Sequence, residues 1–213
     1  MIKFTKTEVR DLFISFLVIS LSFAILFTGR NLTSALYILP IAMVGVGLGF
    51  ILHELGHKFS SIHFGYWAEY KLWPSGLLIA LVSSFLGFVF AAPGAVYIYG
   101  NYVTEKQNGI ISLCGPVVNI VLALIFLLIA VAIYPLAFYN GTMQIVFLIC
   151  SLGFSINSYL SVFNLIPIWN LDGSKVLRWN GLIWLIAIAI GGVMTYFSMT
   201  IGVEGIVRLI IGL

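Results

Sequence analysis

The stretch GLGFILHELGHKFSSIHFG, residues 47–65, sets the polar pentapeptide HELGH inside a run otherwise apolar enough for lipid. Four residues along an α-helix turn through about 400°, so His53 and His57 project from nearly the same side, one turn apart, with Glu54 flanking that face. Ionisable groups inside a membrane span cost about 2.5–3.5 kcal/mol each even on insertion scales, and are retained where they have a task. HExxH is a pattern with a mechanism: two neutral imidazoles bind zinc, and the glutamate takes a proton from a zinc-held water whose pKa falls toward about 7.

The surrounding chain decides that the setting is a membrane. Of 213 residues, 62% are hydrophobic and 8% charged, and the mean hydropathy of +1.14 lies far outside the range of soluble domains. A spanning helix needs about 20 predominantly apolar residues; residues 11–29, 34–62, 112–134, 143–164 and 180–203 each meet that requirement. The run after Arg10 has no small-residue cleavage pattern at its end and reads as a retained helix. The net charge of +3 is small and scattered, so the partner expected is the lipid bilayer and not a nucleic acid. Cys114 and Cys150 lack metal or redox spacing and read as small core residues.

Residues 75–99 form a sixth apolar stretch, interrupted by Ser83-Ser84 and Pro93-Gly94. If Lys3, Lys6 and Arg10 hold the N-terminus in the cytoplasm, the second span returns there, bringing Lys58 and Lys71 to that face and HELGH near it. For Lys175 and Arg178 to reach the same face, residues 75–99 must cross an even number of times. A re-entrant segment is expected, covered by protein or lining a wet cavity, because unpaired backbone is not tolerated against lipid. APGAVYIYG, residues 92–100, reads as its short β-strand. The fold class expected is therefore an all-α polytopic membrane protein, a bundle of about five to six transmembrane helices with a re-entrant segment containing a short strand, forming one domain over 1–213. GVEGIVRLIIGL, residues 202–213, is too short to span and reads as an interfacial or packed helical end.

Two histidines leave a catalytic zinc one protein ligand short, and the candidates are His63, Glu69 and Asp172. His63 has the spacing of HExxHxxGxxH, but Ser60 stands where that motif has glycine, and six helical residues turn His63 about 240° away from His57. Asp172, in NLIPIWNLDGSKVL, residues 164–177, lies where a span ends at the same depth, beside Pro167 and an Asp-Gly turn signal. A carboxylate from this interrupted helix completes a His53, His57, Asp172 site for one zinc ion, with Glu54 as general base.

At this point the chain resembles the site-2 protease family of intramembrane zinc metalloproteases, whose HExxH is paired with an Asn-x-x-Pro-x-x-x-Leu-Asp-Gly motif, here Asn164, Pro167, Leu171, Asp172 and Gly173. CGPVVN, residues 114–119, is similar to the Gly-Pro-x-x-Asn start of the family's middle core helix, and the likeness covers about 40–180. It implies hydrolysis of a peptide bond within or near a transmembrane segment of a membrane-protein substrate, with Asn164 and Asn119 supporting substrate or intermediate. Since a helix shields its own peptide bonds, the substrate must unwind locally, and Gly94, Ala95 and Val96 of the expected strand are candidates to grip it by strand addition. The rival reading is a membrane metal-ion transporter or channel using the same ligands, although no internal repeat of the kind transporters show is visible.

Overall fold

Polar caps, more than hydropathy, set the ends of the helices. The structure, a computed structural model, describes residues 3–100 and 102–212; Asn101, in the polar stretch before the middle helix, and Leu213, in the C-terminal segment, lie outside them. Helix α1 (Lys6–Phe27) is capped by the Thr5 side chain, which accepts from the Glu8 N–H. Asn31 caps α2 (Leu32–Val46), which continues through a π-helical turn (Gly47–Ile51) into α3 (Leu52–His63) as one span. The helix expected from 112 starts seven residues earlier, as α5 (Glu105–Ala137), because Thr104 and Gln107 form a reciprocal capping box. Asn140 caps α6 (Gly141–Leu165) and Asn180 caps α8 (Gly181–Thr200). Among the described residues, these five are the helices long and apolar enough to cross a membrane. The shorter α7 (Asp172–Trp179) and α9 (Gly202–Ile211) follow α6 and α8, and α9 packs Val203 and Val207 into the core between α5, α6 and α8.

The stretch between α3 and α5 makes an excursion that starts and ends at one point. Strand β1 (Trp67–Leu72) pairs antiparallel with β2 (Gly94–Tyr99), in the register Tyr70 opposite Val96. Between them lie α4 (Pro74–Ser84) and a return segment, and the Trp73 N–H donates to Pro93 O at 2.7 Å where the excursion closes. Eleven helical residues reach about 16 Å, roughly half of a bilayer's apolar core. The segment therefore leaves and returns at the same end of the bundle, the shape expected of a re-entrant element. The strand expected in 92–100 is β2; its partner β1 was not expected from the sequence.

The first helix holds this hairpin in place with charged groups. Glu8 and Lys58 are both about 1% exposed, and the Lys58 ammonium donates to both Glu8 carboxylate oxygens at 2.7 and 2.6 Å and to Ala68 O at 3.0 Å. Glu8 Oε1 also accepts from the Tyr70 N–H, Asp11 Oδ2 accepts from the Leu72 N–H, and the Thr5 hydroxyl donates to Glu69. Lys58, expected from the sequence near the cytoplasmic face, is buried and neutralised by Glu8. The Tyr70 hydroxyl donates to Ser15 at 2.8 Å, and burial pushes its pKa well above the ordinary tyrosine value, so it remains a neutral donor. One end of the bundle thus gathers the start of α1, the end of α3 and the hairpin.

Removing one partner of a buried ion pair leaves the other charge stranded, at a cost of about 3–5 kcal/mol, whereas replacing both by apolar groups is far milder. Glu8→Ala should therefore lower the thermal midpoint of the detergent-solubilised protein more than the double variant Glu8→Leu/Lys58→Met. Equal midpoints for the two would show that the pair is not what anchors the hairpin.

Candidate metal centre

Directly below Lys58, α3 turns His53 and His57 inward, and the break between α6 and α7 brings Asp172 to meet them. α6 ends at Leu165, and Ile166 is extended, the backbone enforced on a residue preceding proline. The chain recovers a helix at Asp172, the first residue of α7. Gly173 is required there: a Cβ would collide with the backbone of Leu165, so any side chain would push Asp172 off its position.

The three donors form a compact triangle. His53 Nε2 and His57 Nε2 lie 3.0 Å apart, and Asp172 Oδ2 is 3.4 Å from the first and 3.1 Å from the second. Tetrahedral zinc with nitrogen and oxygen ligands at about 2.0–2.2 Å has edges of about 3.3 Å, so the donor set and its spacing fit that ion. No other grouping of three or more such ligands occurs among the described residues. Burial works against the Asp172 charge, but the charge of a protonated His57, hydrogen bonds from protonated His53 and His57 nitrogens, and nearby Lys175 outweigh it, holding the carboxyl well below the usual carboxylate range; a bound cation would take the place of those protons. Its other oxygen, Oδ1, faces the Lys175 ammonium at 3.8 Å.

Each imidazole is oriented from behind. His57 Nδ1 lies 2.8 Å from Ile111 O, a carbonyl that can only accept, so the proton sits on Nδ1 and the Nε2 lone pair faces the ligand triangle. His53 Nδ1 is 2.6 Å from Asn119 Oδ1. The glycine in CGPVVN has a specific role here: a Cβ on Gly115 would stand 2.5 Å from His57 Nε2 and 2.6 Å from His53 Nε2, too close for either imidazole to keep its place. Gly56 packs α3 against Cys114 and Val118 of α5.

A cavity of about 580 Å³ opens on the triangle, and Glu54, Asn164 and the β2 segment 94–98 line it. Glu54 is 7% exposed, and its Oε2 has no hydrogen-bond partner among the described residues. Asn164 donates from its amide to Leu160 O at 3.0 Å. Asn119, expected at substrate or intermediate, is fully buried behind His53 and does not line the cavity. His63 is exposed beside Phe64 and away from the triangle, as its helical projection implies.

The hairpin presents one edge to this cavity. The N–H groups of Tyr70 and Leu72 and the carbonyl of Ala68 point to α1 and Lys58, so the alternate residues Trp67, Glu69 and Lys71 bond β2. Their partners Tyr99, Tyr97 and Ala95 are thereby used, which leaves the backbone groups of Gly94, Val96 and Ile98 on the far edge. Neither β1 nor this bonding pattern had been anticipated, although WAEYKL alternates buried and polar positions in the manner of a half-buried strand.

Comparison with known proteins follows the same lines. The chain is 38% identical over 196 residues to a Methanocaldococcus jannaschii protein provisionally named zinc metalloprotease MJ0611, covering 91% of this chain and 96% of that protein. It is 33% identical over 164 residues to the similarly named Rip2 of Mycolicibacterium smegmatis, covering 65% of this chain and 60% of Rip2. With YwhC of Bacillus subtilis, which bears the same kind of name, identity is 29% over 166 residues, 70% of this chain and 73% of that protein. No family model matches the sequence, and no solved structure matches the fold. With a ligand triangle suited to zinc, five spans, and a likeness running nearly the full length of the archaeal relative, the chain belongs to this family of multi-pass membrane zinc metalloproteases.

Proposed function

We propose that this protein is an intramembrane protease of the site-2 type, hydrolysing a peptide bond within or near a transmembrane segment of a membrane-protein substrate. The observation that carries the reading is the His53, His57, Asp172 triangle sharing one cavity with the unpartnered Oε2 of Glu54 and the free edge of β2. A zinc ion held by His53, His57 and Asp172 would supply Lewis acidity to a carbonyl and to a water. Glu54 Oε2 is placed to take a proton from water as its oxygen bonds to the carbonyl carbon and to give that proton to the amine as the C–N bond breaks. The Asn164 carboxamide, at the cavity wall, supports the carbonyl oxygen as charge develops on it.

A substrate helix must give up its own hydrogen bonds to expose a carbonyl. Val96 and Ile98 offer it replacement partners along an edge that already borders the ligand triangle. The transporter reading leaves both this edge and Glu54 without a task. We place the N-terminus in the cytoplasm, on the strength of Lys3 and Lys6. The site then opens toward the cytoplasmic side, since Glu8 at the start of α1 meets Lys58 next to His57.

Glu54→Gln should retain zinc in the purified protein while slowing cleavage of a membrane-protein substrate by about 10²–10⁴-fold, the usual worth of a general base. Normal cleavage by the zinc-loaded variant would remove Glu54 from that role. Zinc content should collapse in Asp172→Ala and stay at one per chain in His63→Ala; the reverse pattern would reassign the third ligand. Val96→Pro deletes an N–H on the free edge without touching a β1–β2 bond, so it should lower kcat/KM about threefold to tenfold at unchanged zinc content. Val96→Ala should leave cleavage unaltered.

A further inference from the structure

Behind His53 stand two asparagines, Asn119 on α5 and Asn157 on α6, both fully buried and neither lining the cavity. The direction of every hydrogen bond they make is dictated by backbone carbonyls, which only accept. Asn157 Nδ2 donates to Gly153 O at 2.8 Å and reaches Gly45 O at 3.5 Å, so its Oδ1 must face Asn119. Asn119 Nδ2 donates to that Oδ1 at 3.0 Å and to Gly49 O at 3.0 Å. Asn119 Oδ1 is then left as the acceptor for His53 Nδ1 at 2.6 Å. With the proton fixed on Nδ1, the Nε2 lone pair of His53 is directed at the ligand triangle.

The local backbone is shaped for this chain of bonds. Gly49 lies in the π-helical turn, and π-turns displace carbonyls from the regular i+4 ladder, here one that receives Asn119. A Cβ on Gly49 would stand 2.8 Å from Asn157 Oδ1, so only glycine lets the amide approach. His57 obtains its tautomer in one step from Ile111 O, whereas His53 obtains it in two, across three helical elements.

We propose that Asn157 is a positioning residue for the metal ligand His53, acting through Asn119 to fix the imidazole's tautomer and angle and thereby the affinity and geometry of the zinc site. The proposal rests on the zinc reading given above. It explains a polar residue buried in mid-span with no route to substrate, where an unsatisfied amide would be costly.

The test uses the purified full chain in detergent. Zinc affinity is measured by competition with a chromophoric chelator, the d–d absorption of the cobalt(II)-substituted protein reports ligand geometry, and a thermal midpoint is recorded for each variant. Asn119→Leu should weaken zinc binding about 10–100-fold, the usual worth of a group that orients a ligand. Asn119→Asp, which keeps an acceptor for His53, should recover most of that loss. Asn157→Leu should weaken binding about threefold to tenfold and alter the cobalt spectrum. The double variant Asn119→Leu/Asn157→Leu should bind no more weakly than Asn119→Leu alone, since one residue acts through the other. Losses that multiply in the double variant would overturn the proposal. So would an Asn157→Leu protein with wild-type affinity and spectrum, whatever its thermal midpoint. If Asn157→Leu does not fold, Asn157→Ser is held to the same expectations. Absence of zinc binding by the unsubstituted protein would defeat the metal reading itself, a result distinct from a failure confined to the Asn157 variants.

Discussion

A metal-ligand triangle inside an apolar bundle is constrained first by the cost of desolvating the groups that build it. Two imidazoles and a carboxylate cannot rest in hydrocarbon without partners, because each unsatisfied buried polar group costs about 1–3 kcal/mol and a bare charge more. Much of the surrounding architecture answers that constraint. Ile111 O and Asn119 accept the imidazole N–H groups, Lys175 stands beside the remaining carboxylate oxygen, and the cavity reaches Glu54. The same logic governs the charges nearby, where Glu8 and Asp11 on α1 satisfy Lys58 and the outer N–H groups of β1.

How much of this was legible in the sequence differs from element to element, for physical reasons. The five spans follow from hydropathy because lipid imposes a length requirement that local sequence meets by itself. The direction of His63 follows from helical geometry alone, and Asp172 from the need for a third donor at the same depth. The start of α5 was placed seven residues late because the hydropathy window cannot see a capping box, although Thr104 and Gln107 are written in the sequence. Strand β1 was passed over because Lys71 and its neighbours were read as markers of membrane orientation, while the alternation of Ala68 and Tyr70 with Glu69 and Lys71 is a strand signal.

What could not be read is what only tertiary proximity defines. Gly115 looks like any small residue favouring close helix packing, and its role appears once α5 is set against α3 and the two imidazoles occupy the space a methyl group would need. Asn157 has no motif of its own; the hint available was its polarity in mid-span, two turns before Asn164 on the same helix. The pairing of Lys58 was hidden for the complementary reason, since nothing local shows that Glu8, fifty residues away, neutralises it.

The excursion between the strands has a consequence for how such a chain can diversify. Both of its ends are fastened at one hydrogen bond, Trp73 N–H to Pro93 O, and the strands beyond that point keep their own register. The nineteen residues in between are tied to the bundle by Ala80, Val89 and Ala91 in the core and by the Tyr159 hydroxyl, which donates to Val89 O at 2.8 Å, so it is their exposed positions that can be recomposed without sliding β2 along β1. The wall beside the cavity, at Phe90 and Ala92, can thus be re-tuned over generations while the ligand triangle stays where α3 and α7 hold it.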